Sequence, residues 1–119
     1  MNQVHLVGNI TQNIEVKKTA NGTSYVRFNV AVDDGKDSQG QKKTQFISCV
    51  AWEKTADNLG TYCSKGSKIA VNGRIVTGSY DDPNLPGHRI FTTDVVVNSL
   101  EFLSSKKENQ QAQPENVPV

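Results

Sequence analysis

The chain has 119 residues, with 13 Lys plus Arg against 12 Asp plus Glu and a formal net charge of +1. This length allows one domain with one core, and the near-neutral balance excludes a strongly basic protein, so a basic patch would have to come from charge segregation on the surface. The sequence shows no signal-peptide pattern, no apolar run near the roughly 20 residues of a membrane span, and only two cysteines, Cys49 and Cys63, without metal-ligand or disulfide-framework spacing. We therefore expect a cytoplasmic protein that contacts no membrane and uses no metal or cofactor.

The first third of the chain predicts two strands, of which the first is bent. Residues 3–10 alternate weakly, and Gly8-Asn9 interrupts the alternation as a bulge or a sharp bend would. Residues 14–18 are predicted to continue this strand beyond the bend, which is how small barrels turn corners. After the Asn21-Gly22 turn signal, residues 25–32 form the second strand, with one apolar face and one outward face. The apolar face carries Val26, Phe28, Val30 and Val32, and the outward face carries Tyr25, Arg27 and Asn29.

Residues 45–52 form a third predicted strand, and its two faces differ. The inward face is apolar and carries Ile47, Cys49 and Ala51, whereas the outward face carries Phe46, Ser48, Val50 and Trp52. At about 3.3 Å per residue, Phe46 and Trp52 lie roughly 20 Å apart on one surface. These two rings could belong to the core of a sandwich, but the opposite face already has the composition of a core. Two exposed rings would instead form a platform on which unstacked nucleic-acid bases can rest.

A loop precedes this strand and a helix follows it. Residues 33–44 are polar, contain glycine and lack periodicity, so they are predicted to form a surface loop that carries Lys36, Lys42 and Lys43. Residues 55–65 are predicted to form a helix capped by Thr55 and ended by Gly66, with Ala56, Leu59 and Cys63 on one face.

Two more strands complete the predicted domain. Residues 68–79 form the fourth strand, bent at Gly73, with an apolar side made of Ile69, Val71 and Ile75. Residues 77–89 are predicted to form a long hairpin loop with Tyr80 near its base, and residues 90–103 form the fifth strand. From residue 104 onward the chain has almost no hydrophobic residues, so we expect a domain at 1–103 and a disordered tail at 104–119.

The order of the elements indicates the fold class. Five strands with one short helix between the third and the fourth is the order of the OB-fold, an all-β Greek-key barrel that commonly binds oligonucleotides or oligosaccharides. A β-sandwich would leave the lone helix unexplained.

Five segments, in order along the chain, resemble the bacterial and phage single-stranded DNA-binding proteins. They are residues 1–10 (MNQVHLVGNI), 21–23 (NGT), 46–52 (FISCVAW), 65–67 (KGS) and 93–97 (TDVVV). The resemblance covers residues 1 to about 103 and implies an OB-fold, assembled as a homotetramer. It further implies sequence-independent binding and protection of single-stranded DNA during replication, recombination and repair, without catalysis, in a bacterial cell or in the host cytoplasm of a phage.

The resemblance also implies a set of binding residues. Phe46, Trp52 and Tyr80 fall on stacking positions of the family, and Lys17, Lys54 and Lys65 fall on positions that are often basic. Arg27 and Arg74 point outward on their strands and could line the same groove, and Lys42 and Lys43 of the predicted loop are further candidates for phosphate contacts. Residues 33–37 lack the further aromatic that the family usually has there, so that contact is not expected here. Residues 75–79, often rich in Arg and Lys in the family, carry no charge, so one rim of the groove should make fewer phosphate contacts.

The sequence gives little support for functions other than DNA binding. No Ser/His/Asp order, acid pair or Gly-rich phosphate loop is evident, and His5 and His88 have no partner at ligand spacing, so the sequence predicts no enzyme and no metal site. We expect His5 to be buried at a subunit contact. The main alternative is an OB-fold interaction module that does not wrap DNA, in which the exposed aromatics would pack against a loop or another subunit.

The sequence of the tail predicts weak binding of protein partners. Members of the family typically end in an acidic tip that closes on a terminal Phe, whereas residues 114–119 here contain one acid, Glu115, and end in Val119. Because Val buries less apolar area than Phe, we expect this tip to bind tip-reading partner proteins poorly and to be dispensable for DNA binding.

Overall fold

The computed structural model of the protein describes residues 1–104, and within that range it contains one helix and six strands. The elements are β1 (Val4–Ile10), β2 (Lys17–Lys18), β3 (Ser24–Lys36), β4 (Lys42–Trp52), α1 (Glu53–Tyr62), β5 (Lys68–Asp81) and β6 (Arg89–Phe102). The predicted tail lies outside the described residues, apart from Ser104.

Five of the strands close into a barrel. The sheet order is β1-β5-β6-β4-β3-β2, and β1 also pairs with β3, which joins the two ends of the five-stranded part. β1 changes partner at the predicted bend, because residues up to Asn9 pair with β5 whereas Asn9 and Ile10 pair with β3. A Cβ atom at Gly8 would overlap the carbonyl oxygen of Ala31, so only glycine lets the two strands approach here. The predicted OB-fold is confirmed.

The core fills the barrel and is apolar. Val26, Phe28 and Val30 of β3 are at most 1% exposed, as the alternation in residues 25–32 predicts. Helix α1 closes one end of the barrel with the buried side chains of Ala56 and Leu59. Val50 is also buried although it lies on the outward face of β4, where it pairs with Val96 of the parallel neighbour β6.

The helix is shifted relative to the prediction of residues 55–65. It begins at Glu53, and Trp52 rather than Thr55 occupies the capping position, with no side-chain capping hydrogen bond. The chain turns directly from strand to helix because Glu53 adopts φ 57°, the left-handed region that a non-glycine residue rarely occupies. The helix ends before Cys63, so the predicted end near Gly66 is also late.

The strands are longer than predicted in two places and shorter in one. Most of residues 33–44 and part of residues 77–89 belong to strands, because β3 and β4, and β5 and β6, continue as hairpins beyond the barrel. In these hairpins both faces meet solvent, so the sequence shows no apolar alternation, and Ile75 is 46% exposed rather than in the core. The predicted strand at 14–18 is reduced to Lys17–Lys18. A register shift between Asn72 and Gly73 confirms the bend predicted in β5.

Candidate functional site

The outward side of β3 and β4 carries four cross-strand pairs that follow from the strand register. Antiparallel residues that lie opposite each other point to the same side of the sheet. The pairs are Tyr25 with Trp52, Arg27 with Val50, Asn29 with Ser48, and Ala31 with Phe46. An aromatic residue therefore stands at each end of this row.

The outward side continues onto β6 and β5. Val50 pairs with Val96, and Val96 in turn pairs with Arg74, so all three point to one side. The alternation along β5 then brings Tyr80 to that side too, on the hairpin beyond the barrel. We call this surface, with Tyr25, Phe46, Trp52 and Tyr80, the aromatic face.

The rings of the aromatic face are open to solvent. Phe46 is 67% exposed, Tyr80 51% and Trp52 42%. Trp52 also packs against Tyr25, with ring centroids 5.4 Å apart and an interplanar angle of 32°. Phe91, on the other side of the β5–β6 hairpin, is 78% exposed as well, so the aromatic face is distinguished by having its rings on one side of the sheet, which makes it a candidate binding surface.

Tyr25 belongs to the aromatic face but is not among the binding residues that the sequence predicts. Its outward direction on β3 was predicted, but its position opposite Trp52 depends on the β3–β4 register, which the pattern of either strand alone does not give. Counting outward aromatics on both strands would have been the available signal.

A cleft of about 660 Å³ runs beside the Tyr25–Trp52 pair, between β3 and the segment that leads into β2. Tyr25, Arg27 and Asn29 line it from β3, and Lys17 lines it from β2. Gln12, Asn13 and Ser48 add amide and hydroxyl groups to the lining. The cleft thus places hydrogen-bonding groups and two cations next to flat rings.

The predicted basic residues are distributed over the surface, and only some share the aromatic face. Arg27 donates a hydrogen bond to Asp94, with Nη1 3.0 Å from Oδ1, and Arg74 Nη1 lies 3.3 Å from Asn98 Oδ1. Lys17 Nζ lies 3.7 Å from Glu15 Oε1. The Lys17–Glu15 contact is exposed on both sides and holds Lys17 weakly, and the amide of Asn98 carries no charge, so Lys17 and Arg74 can exchange these partners for a phosphate, whereas Arg27 is paired with a carboxylate that is only 19% exposed.

The remaining lysines lie toward the edges of the molecule. Lys42 lies on the same side of β4 as Phe46, but on the hairpin beyond the barrel, whereas Lys43 points to the other side and its Nζ lies 3.7 Å from Asp34 Oδ2. Lys54 is exposed in the first turn of α1, two residues after Trp52. Lys65 is exposed in a turn fastened to the end of β1, where the Gly66 N–H donates to the Ile10 carbonyl at 2.8 Å. The structure thus does not gather all seven predicted cations into one groove.

One carboxylate and one thiol at this site have shifted pKa values. A hydrogen bond from Ser48 and the neighbouring Arg27 guanidinium lower the pKa of Asp94, against an opposing effect of its partial burial. Burial, with a smaller contribution from the charge of Asp94, raises the pKa of the Cys49 thiol to about 12. At neutral pH Asp94 is therefore charged and Cys49 is neutral.

The described part of the chain offers flat rings, amides and cations rather than reactive groups. Within residues 1–104 no three His, Cys, Asp or Glu side chains cluster closely enough to hold a metal ion. None of the helices described there is long and apolar enough to cross a membrane. His5 is exposed on β1 in the single chain, so its predicted burial at a subunit contact stays a prediction.

Comparison with known proteins agrees with this geometry. A family model described as the single-strand binding protein family matches residues 1–103. A single-stranded DNA-binding protein of Halalkalibacterium halodurans is 40% identical over 112 residues, which cover 93% of this chain and 66% of that protein. Single-stranded DNA-binding protein 2 of Staphylococcus aureus (strain COL) is also 40% identical over 112 residues, covering 93% of this chain and 79% of that protein. Single-stranded DNA-binding protein 2 of Listeria monocytogenes is 37% identical over 117 residues, which cover 98% of this chain and 72% of that protein.

Proposed function

The chain belongs to the single-strand binding protein family, and on that premise we propose that it binds single-stranded DNA without sequence preference and without catalysis. The observation that carries the proposal is the aromatic face, where Trp52 and Phe46 stand exposed on one side of β4, six residues apart along the strand. Every base has a flat face that can stack on such rings, so stacking does not depend on the sequence.

In the proposed binding mode, aromatic rings bind the bases and cations bind the phosphates. Bases stack on Trp52 with Tyr25, on Phe46 and on Tyr80, while phosphates meet the cations that share this face, chiefly Lys17, Arg27 and Arg74. The other predicted cations, Lys42, Lys43, Lys54 and Lys65, contact only DNA that continues past the edges of the face. Because the chain spans about two thirds of the length of its H. halodurans relative, this mode is proposed for residues 1–103, as one DNA-binding domain.

We also propose that the chain works as a homotetramer, protecting single strands during replication, recombination and repair in the cytoplasm of a bacterium, or of the host of a phage. The edge of β1 supports self-association, because β3 pairs with it only at Asn9 and Ile10 and leaves its earlier residues without a neighbour on that side within the described chain. Light scattering after gel filtration measures the mass, and a monomeric mass contradicts this part of the proposal.

Trp52 provides the test of DNA binding, because it is the sole tryptophan of the chain. We expect oligo-dT to quench its fluorescence saturably, since a stacked base contacts the indole ring directly. Duplex DNA of the same length is the control and should quench little, because its bases are already stacked on one another. Equal quenching by the duplex, or no saturable quenching by oligo-dT, would favour an interaction module that does not wrap single strands.

A further inference from the structure

Asp94 places a negative charge in the middle of the aromatic face. It follows from the β4–β6 pairing that Asp94, two residues before Val96, points to the same side as Val50 and Arg27. Its carboxylate accepts a hydrogen bond from Arg27, whose Nη1 lies 3.0 Å from Oδ1. The side chain of Asp94 is 19% exposed, whereas that of Arg27 is 61% exposed.

A carboxylate at this position works against binding of a polyanion. A phosphate that approaches Arg27 meets the charge of Asp94 a few ångströms away, and the guanidinium is already partly neutralised. Ser48 also donates a hydrogen bond to this carboxylate, and the contacts with Ser48 and Arg27 lower the pKa of Asp94. The carboxylate of Asp94 therefore occupies the position beside Arg27 that a DNA phosphate would take.

We propose that Asp94 is an internal competitor for phosphate that restrains Arg27 and weakens the hold of the protein on single-stranded DNA. The inference rests on the proposed function and adds a regulation of affinity to the same site. In the free protein Arg27 is satisfied by Asp94. A bound phosphate has to displace this carboxylate, so Arg27 contributes less to binding than an unpaired arginine would.

The opposite role would be that Asp94 positions Arg27 for DNA. The two roles predict opposite effects of one substitution on the affinity for DNA. Asp94→Asn keeps the size of the side chain and removes its charge, so it frees Arg27 under our proposal and leaves Arg27 misplaced under the alternative.

The test measures oligo-dT affinity against salt concentration for four proteins: the unaltered chain, Asp94→Asn, Arg27→Gln and the double variant. One additional phosphate contact steepens the slope of log affinity against log salt by about 0.7 for single strands, which corresponds to roughly five-fold tighter binding at about 0.1 M salt. We expect Asp94→Asn to produce both changes. Arg27→Gln should weaken binding more in the Asp94→Asn background than in the unaltered chain.

Asp57→Asn is the matched control, because Asp57 is exposed on α1 and the substitution changes the net charge equally. It should leave both affinity and slope within experimental error of the unaltered chain. Melting curves of all variants check that they are folded.

Each result decides between the alternatives. Unchanged or weaker binding by Asp94→Asn overturns the inference and leaves the proposed function standing. Should Asp94→Asn fail to fold, Arg27→Gln alone decides, because a loss of five-fold or more in the unaltered background means that Arg27 is not restrained. No binding of oligo-dT by the unaltered chain overturns the proposed function and the inference together.

Discussion

Trp52 connects three parts of the molecule, since it ends β4, precedes α1 and packs against Tyr25 of β3. Stacking of a base on an aromatic ring contributes about 1–3 kcal/mol by alanine substitution. We expect Trp52→Ala and Phe46→Ala each to weaken oligo-dT binding by an amount in this range, with a small change in melting temperature, since both rings are exposed. Titrations and melting curves on the same samples measure the two effects.

Phe28→Ala is the control for these substitutions, because Phe28 is 1% exposed in the core. Its loss should cost about 3–5 kcal/mol of stability. If Trp52→Ala lowered the melting temperature as far as Phe28→Ala, Trp52 would be a structural residue and not a stacking surface.

Because of the Cys49 thiol, the free energy of unfolding should depend on pH in the alkaline range. Its pKa is raised from 9.0 to about 12 in the folded chain, so the folded state keeps the proton that the unfolded state releases above pH 9. The stabilisation is complete below pH 9 and is lost as the pH rises from 9 towards 12. Between pH 8 and pH 10.5 we expect the unaltered chain to lose about 1–2 kcal/mol more stability than Cys49→Ala. Urea unfolding at both pH values measures the difference, and parallel losses in the two proteins would contradict it.

At the scale of the elements, β5 contains two glycines with different surroundings. A Cβ atom at Gly73 would overlap the carbonyl oxygen of Val96, which is backbone, whereas a Cβ at Gly78 would meet the Thr92 Oγ1 at 3.3 Å. Backbone of the barrel cannot give way, but a threonine side chain on an exposed hairpin can rotate. We therefore expect Gly73→Ala to cost about 1–3 kcal/mol and to lower the melting temperature by several degrees.

Gly78→Ala is the matched comparison, with the same substitution in the same strand, and should change the melting temperature little. Thermal unfolding followed by circular dichroism measures both variants. A loss at Gly78→Ala as large as at Gly73→Ala would mean that the hairpin beyond the barrel is as tightly packed as the barrel.

Periodicity predicted the elements that border the core and failed where no core is present. The alternation of Val26, Phe28 and Val30 and the bend at Gly73 were predicted because burial and close approach constrain those residues directly. The hairpin ends were predicted as loops since ladder hydrogen bonds, rather than apolar contacts, hold them. The start of α1 was placed late because the strand turns into the helix through the positive φ of Glu53, for which the sequence has no glycine to signal it.

At the scale of the whole molecule, the order of strands and helix is enough to predict the barrel. Predicting the site also requires the register in which the strands pair. Phe46 and Trp52 were predicted to share a face from one strand alone. The pair Tyr25–Trp52 depends on the register of the β3–β4 hairpin, and the pair Arg27–Asp94 joins residues 67 positions apart, so no pattern within one strand could predict them.

The distribution of charge over the molecule predicts a weak dependence of binding on salt. Three of the predicted cations, Lys17, Arg27 and Arg74, lie on the barrel part of the aromatic face, and two of them form ion pairs with acidic side chains. Three phosphate contacts give a slope of about −2 for log affinity against log salt. A short oligo-dT that fits one barrel measures this slope. A slope of about −7 or steeper, which corresponds to roughly ten contacts, would contradict the proposed division between rings and cations.

Because β1 pairs with both β5 and β3, its pairing during translation depends on when each of these strands emerges. β1 leaves the ribosome first, but its main partner β5 begins only at Lys68, while β3 offers it pairing at Asn9 and Ile10 alone. At translation rates of about 5–20 residues per second, β1 waits for roughly 3–12 s without its neighbour. During that interval the β3–β4 hairpin can form by itself, and β1 remains an unpaired apolar strand. A nascent chain stalled before Lys68 should therefore be cut by protease within β1, and protection should appear only when β5 has emerged.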